Sequence, residues 1–250
     1  MKHLITGLLG FIAVAACAEG PAPAPPTGEI TARVAPLAQP SAEHGLRRIA
    51  SAALYVPDGI SADRPAPFIL LLHGAGDRGE NMIRRFRDEA DKRGIILLAP
   101  DSEGRTWDVM VSLGDRPGQP PRYGDDPARI DAALKEVFAR YNIDPRKVAI
   151  AGFSDGAGYA LSLGAENGPL FRSIMAFSAG VLMPFSPEAR PRVFISHGTK
   201  DRIIPISSPK NDIIPALRGA GFDVEFHEFD GGHEIPPAIM KQALDWFLHE

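Results

Sequence analysis

Chemistry in this chain starts at Gly152-Phe153-Ser154-Asp155-Gly156. This is the G-x-S-x-G pattern of a nucleophile elbow, in which flanking glycines let a strand turn sharply into a helix and leave the serine oxygen at the tip. In a chain with 25 glycines the five-residue pattern is weak by itself, and its setting strengthens it. Asp144-Pro145 is a turn signal, Val148 to Ala151 is an apolar run suited to a buried parallel strand, and Ala157, Ala160, Leu161 and Gly164 recur on one helical face behind the serine. A serine hydroxyl is a poor nucleophile near neutral pH, so Ser154 needs a base within hydrogen-bond reach and an acid to orient that base. Two later stretches offer them: His197-Gly198-Thr199-Lys200-Asp201, and Asp230-Gly231-Gly232-His233.

The elements that must carry these residues read as alternating strands and helices. Residues 46–56 form an opening strand, and Phe68 to Leu72 a continuous apolar strand running into His73-Gly74-Ala75-Gly76-Asp77. Residues 80–93 form an amphipathic helix with Met82, Ile83, Phe86 and Ala90 inward, stopped by Gly94 before the strand 95–99. A long loop, 100–126, contains Trp107 and Tyr123; loops of that length in a compact domain are usually functional. Asp126, as N-cap, and Pro127 open a helix to about Tyr141. Strands at 174–177, 193–196 and 224–229, with helices at 213–219 and 237–248, complete an α/β pattern with one mostly parallel sheet.

The spacing of His73-Gly74-Ala75-Gly76-Asp77, of Asp144-Pro145 before the elbow, of His197-Gly198-x-x-Asp201 and of Gly232-His233 resembles alpha/beta-hydrolase serine esterases, in the branch of carboxylesterases, feruloyl esterases and polyhydroxybutyrate-depolymerase-like enzymes. The resemblance covers about residues 46–250. It implies Ser154 as nucleophile, His233 as base and then acid, and Asp201 as the group fixing the His233 tautomer, with Asp230 the substitute. It also implies an oxyanion site on the backbone N–H groups of Ala75 and Asp155, so that Asp155 matters through its backbone and its side chain is free. The expected reaction is cleavage of short-chain, aromatic or polymer-linked carboxylic esters through an acyl-enzyme. Activity should rise with pH roughly between 6 and 8, since only a neutral imidazole acts as base. His73 and His197 are expected to brace turns, and Trp107 either walls the substrate site or fills the core. About 15 residues after the strand 174–177 leave no room for a separate cap domain, so an open site roofed mainly by 102–125 is expected.

Other readings compete. Gly74-Ala75-Gly76-Asp77-Arg78-Gly79 is a literal G-x-G-x-x-G, and Asp101 follows at the distance of a ribose-binding acid, which fits a dinucleotide fingerprint. That reading leaves Ser154, Asp201 and His233 unexplained. No H-E-x-x-H or paired-cysteine spacing calls for a metal, and the esterase reading needs no cofactor. A serine peptidase on the same fold and a noncatalytic surface-binding lipoprotein are the remaining rivals. A net charge of -4 without a basic aromatic patch argues against a nucleic-acid partner.

The N-terminus is set apart. Met1-Lys2-His3, an apolar run from Leu4 to Ala16 and small residues before Cys17, the single cysteine, resemble a bacterial lipoprotein signal with a lipidated cysteine. The expected organisation is a signal peptide over 1–16, Cys17 and a Pro-rich tether over 17–44, and a catalytic domain over 45–250, exported and membrane-anchored in the cell envelope, the alternative being a plain signal peptide with an incidental cysteine and a periplasmic or secreted protein.

Overall fold

The computed structural model describes residues 27–115, 121–185 and 187–249, so the expectations for residues 1–16 and Cys17 lie outside the described residues. Eight strands form one sheet in the order β1-β2-β4-β3-β5-β6-β7-β8. They are β1 (Gly45–Ile49), β2 (Ala52–Val56), β3 (Ala66–Leu72), β4 (Ile96–Pro100), β5 (Ile143–Phe153), β6 (Ser173–Phe177), β7 (Arg192–Gly198) and β8 (Val224–Phe229). β1 pairs antiparallel with β2, and β2 with β4; every later pairing is parallel. The single strand expected over 46–56 is two, because Ala50 takes a φ of +48° and folds the run back on itself.

The apolar runs are explained by what covers the sheet. Along β3, Phe68, Leu70 and Leu72 join one core and Ile69 and Leu71 the other, all with no exposed surface, so neither face tolerates a polar residue. Helices α1 (Gly79–Arg93) and α6 (Pro237–Leu248) close one face with Met82, Phe86, Met240 and Phe247. Helices α3 (Asp126–Phe138), α4 (Asp155–Glu166) and α5 (Ile214–Gly219) close the other with Leu134, Ala160 and Leu217. A π-turn at Pro209–Ile213 leads into α5, and a short helix, α2 (Asp108–Asp115), interrupts the long loop after β4. This is the alpha/beta-hydrolase architecture, with 178–191 too short for a cap.

The domain edge drawn at residue 45 needs correction. Ile30 and Ala32 are buried in the core that holds α3 and α4. Asp131 accepts the N–H groups of Thr31 and Ala32 at 2.8 and 2.7 Å, and Asn167 accepts that of Ile30 at 2.8 Å while donating to Gly28 O at 2.8 Å. Residues 28–32 are therefore a strap on the domain, held by backbone groups that give two largely buried polar side chains part of their hydrogen bonding beside Lys135 and Leu163 O.

Candidate active site

Strand β3 lies between β4 and β5, the point where strand order reverses, and ligands of open α/β sheets collect beyond the carboxyl ends of strands at such a point. Ser154 lies there, between β5 and α4, with φ 56° and ψ -120°, a conformation a non-glycine residue rarely takes. Its N–H donates to Phe177 O at 2.9 Å, and its carbonyl accepts from Ala157 N–H at 2.9 Å. The two glycines of the elbow are required by close approach. A Cβ on Gly152 would fall 2.0 Å from Gly156 O, and one on Gly156 would fall 2.4 Å from His73 O.

His233 Nε2 lies 2.9 Å from Ser154 Oγ, and Nδ1 lies 2.7 Å from Asp201 Oδ2. The other carboxylate oxygen, Oδ1, accepts the N–H groups of Ile203 and Ile204, each at 2.9 Å. Burial by itself would push the Asp201 carboxyl up; the backbone N–H of Ile204, the His233 ring and the N–H of Ile203 outweigh it and hold its pKa below the usual carboxylate value. An ionised Asp201 accepts the Nδ1 proton, which leaves the Nε2 lone pair facing the serine hydroxyl. The loops carrying acid and base are stitched together: Thr199 N–H donates to Phe229 O and Lys200 N–H to Gly231 O, both at 2.9 Å. Gly198 permits this contact, since a Cβ there would fall 2.3 Å from Gly232 O.

His197 and His73 brace turns. His197 Nε2 is 2.8 Å from Ile204 O and 3.3 Å from Asp201 Oδ2, and the Nε2 of His73 accepts Ser102 N–H at 3.0 Å. Asp230 is an exposed partner of Lys200 at 2.6 Å, away from the His233 ring that Asp201 holds.

Ala75 follows β3 and Asp155 is the first residue of α4. Gly74 brings the two segments together: a Cβ on it would lie 3.3 Å from Ser154 Cβ. Among the described residues neither the Ala75 nor the Asp155 N–H has a hydrogen-bond acceptor, the condition of a donor pair kept for a developing oxyanion. The Asp155 side chain is engaged rather than free, accepting from Thr106 Oγ1 at 2.7 Å.

Beside Ser154 opens a cleft of about 430 Å³. Thr106, Met110 and Leu113 form one wall; Gly180, Val181, Ile203 and Ile204 form the other. The roof expected from 102–125 is thus half of the enclosure. The second wall was missed, although Ile203-Ile204, an apolar pair in a loop next to Asp201, was its signal. Ile203 is 72% exposed, which on a loop already tied to Asp201 marks it as part of the mouth. Trp107 is corrected: it is fully buried, stacked on Tyr159 at 5.0 Å, and donates Nε1–H to His73 O at 2.9 Å, so it supports the glycine loop and does not wall the cleft.

The glycines of the dinucleotide-like stretch are used in packing. Gly76 takes a φ of +74°, and a Cβ on Gly79 would fall 2.1 Å from Ala99 O, so that α1 can start against β4. Asp101 Oδ1 accepts Gly79 N–H at 2.9 Å, filling the place where a phosphate would meet the helix.

Residues 128–249 match the phospholipase/carboxylesterase family, a span that includes Ser154, Asp201 and His233. The chain is 25% identical over 241 residues to a probable feruloyl esterase C of Aspergillus oryzae, covering 82% of this chain and 85% of the relative. It is 27% identical over 223 residues to a probable carboxylesterase of Oryza sativa, covering 79% and 83%. The solved structure of a phospholipase/carboxylesterase from Dyadobacter fermentans superposes with a TM-score of 0.61 at 19% identity, covering 83% of this chain and all of that one.

Proposed function

We propose that this chain is a carboxylic ester hydrolase of the alpha/beta-hydrolase fold, and that Ser154, His233 and Asp201 carry out its reaction through an acyl-enzyme. The observation that carries this reading is the unbroken hydrogen-bonded line from Asp201 through His233 to the oxygen of Ser154. His233 takes the Ser154 proton as the hydroxyl oxygen attacks the ester carbonyl. The N–H groups of Ala75 and Asp155 hold the resulting oxyanion. His233 then protonates the departing alcohol and afterwards removes a proton from the water that releases the acid.

The cleft supports esters of short or aromatic acids, or esters displayed on a polymer. It is open, it is lined by apolar side chains such as Met110, Val181 and Ile204 alongside the polar Thr106 and Ser208, and the loop after β6 is too short to close over it. The name of the fungal relative, a probable feruloyl esterase, points to an aromatic acid. A fluorophosphonate should label the protein, and Ser154→Ala should abolish both labelling and turnover of p-nitrophenyl acetate; turnover kept by that variant would refute the assignment. Rates on p-nitrophenyl esters of increasing chain length and on methyl ferulate should fall for acyl chains longer than the cleft. A rate maximum on long chains would contradict the open, shallow site.

Export and lipidation at Cys17 belong to the same reading and rest on sequence. The mature protein should partition into detergent, and Cys17→Ser should release it into the aqueous phase.

A further inference from the structure

The two proposed oxyanion donors belong to different parts of the chain, one after β3 and one at the start of α4, so something must set the distance between them. Segment 102–107, leaving β4, touches both. Toward the glycine loop, Gly76 N–H donates to Arg105 O at 2.7 Å and Trp107 Nε1–H donates to His73 O at 2.9 Å. Toward α4, Thr106 Oγ1 donates to Asp155 Oδ2 at 2.7 Å. Residue 105 thus ties down the neighbour of Ala75, and residue 106 ties down the side chain of Asp155 itself. An oxyanion is stabilised only where both donors lie about 2.7–3.1 Å from one point, and a displacement of about 1 Å can cost on the order of a hundredfold in rate. The link has a second physical use. A carboxylate one residue from Ser154 opposes the negative charge that develops in the transition state, and a hydroxyl donating to it keeps it directed at Thr106.

We propose that Thr106 is a positioning residue for acyl transfer, acting through Asp155 to hold the first turn of α4 in register with the glycine loop. This rests on the assignment of Ser154 as nucleophile with the Ala75 and Asp155 N–H groups as donors.

Thr106→Val keeps the shape of the side chain and removes the hydroxyl. On p-nitrophenyl acetate kcat should fall about 10- to 100-fold while KM stays within about threefold, since the lost interaction matters only in the transition state. Inhibition by a phenylboronic acid, whose tetrahedral adduct places an oxygen in the oxyanion site, should weaken in parallel. Thr106→Ser should recover most of the rate. In an Asp155→Ala background Thr106→Val should have no further effect. The pH at half-maximal kcat/KM should be unmoved, because the His233–Asp201 pair is untouched. Thermal unfolding of each variant separates loss of rate from loss of fold, and Thr106→Ser provides the test should Thr106→Val fail to fold. Full activity in Thr106→Val, failure of serine to rescue, or losses that add to those of Asp155→Ala would each overturn the proposal. Ser154→Ala distinguishes its failure from that of the underlying reading: residual turnover there removes the nucleophile assignment, whereas an inactive Ser154→Ala beside a fully active Thr106→Val removes only the clamp.

Discussion

At the scale of single residues the site depends on one carboxylate being ionised. Asp201 has three neighbours that donate hydrogen to it, two backbone N–H groups and the His233 ring, while the Nε2 of His197, 3.3 Å away, is engaged with Ile204 O. With its folded pKa below that of the unfolded chain, Asp201 contributes stability that is present above about pH 4 and lost as pH falls through the folded value. Asp201→Asn keeps the size but presents an amide that can donate to Nδ1, which favours the tautomer with its proton on Nε2, facing the serine. The expected result is a fall in kcat of roughly 10³- to 10⁴-fold with Ser154 still in place. The acid part of the stability profile should also flatten below about pH 4. A variant with wild-type kcat would show that His233 is oriented by some other group. The line from 154 to 233 to 201 was legible because each residue ends a strand in a recognisable loop. The partner of Asp155 was not, because nothing in the spelling of Arg105-Thr106-Trp107 says that one tripeptide reaches two loops.

At the scale of elements, the long segment after β4 has its own internal order. Asp126, buried at the start of α3, accepts Glu103 N–H at 2.9 Å and Asp108 N–H at 3.0 Å, while Asp108 Oδ2 accepts Gly124 N–H at 2.8 Å and Asp126 N–H at 2.9 Å. Burial raises the pKa of both acids above the ordinary carboxylate value, against the pull of these N–H groups. Sequence reading gave Asp126 the part of N-cap. The helix instead starts at Asp126 after Asp125, and the carboxylate holds the segment that carries Thr106 and the α2 wall. A capping acid and a loop-knitting acid look alike in sequence, since both precede a proline at a helix start. Asp126→Ala would leave two N–H groups without an acceptor, a loss of about 2–6 kcal/mol at about 1–3 kcal/mol each. It should raise KM as well as lower kcat, because both the wall and the clamp shift. Urea unfolding together with steady-state kinetics checks this. An unchanged KM would mean that the cleft wall is held from elsewhere.

At the scale of the whole molecule, the sheet and its helices followed from apolar runs of period one and helical faces of period 3.6, signals that neighbouring elements reinforce. The strap at 28–32 carried no such signal. Its apolar residues, Ile30 and Ala32, are two among glycine, glutamate and threonine, and only the tertiary positions of Asp131 and Asn167 make them part of the fold. A chain shortened to begin at residue 45 would expose the cavity left by Ile30, at about 1.5–3 kcal/mol, and strip partners from Asp131 and Asn167. The total, roughly 3–7 kcal/mol, should lower the midpoint of thermal unfolding by on the order of 10 °C relative to a chain beginning at residue 27. Burial works against the charge of Asp131, but Lys135, Thr31 and the Ala32 N–H hold its pKa below the ordinary value, so its share of the strap's contribution is present above about pH 4 and lost as pH falls through the folded pKa. The gap between the two chains should therefore narrow in acid. Equal midpoints at neutral pH would mean that residues 28–32 lie on the domain without stabilising it.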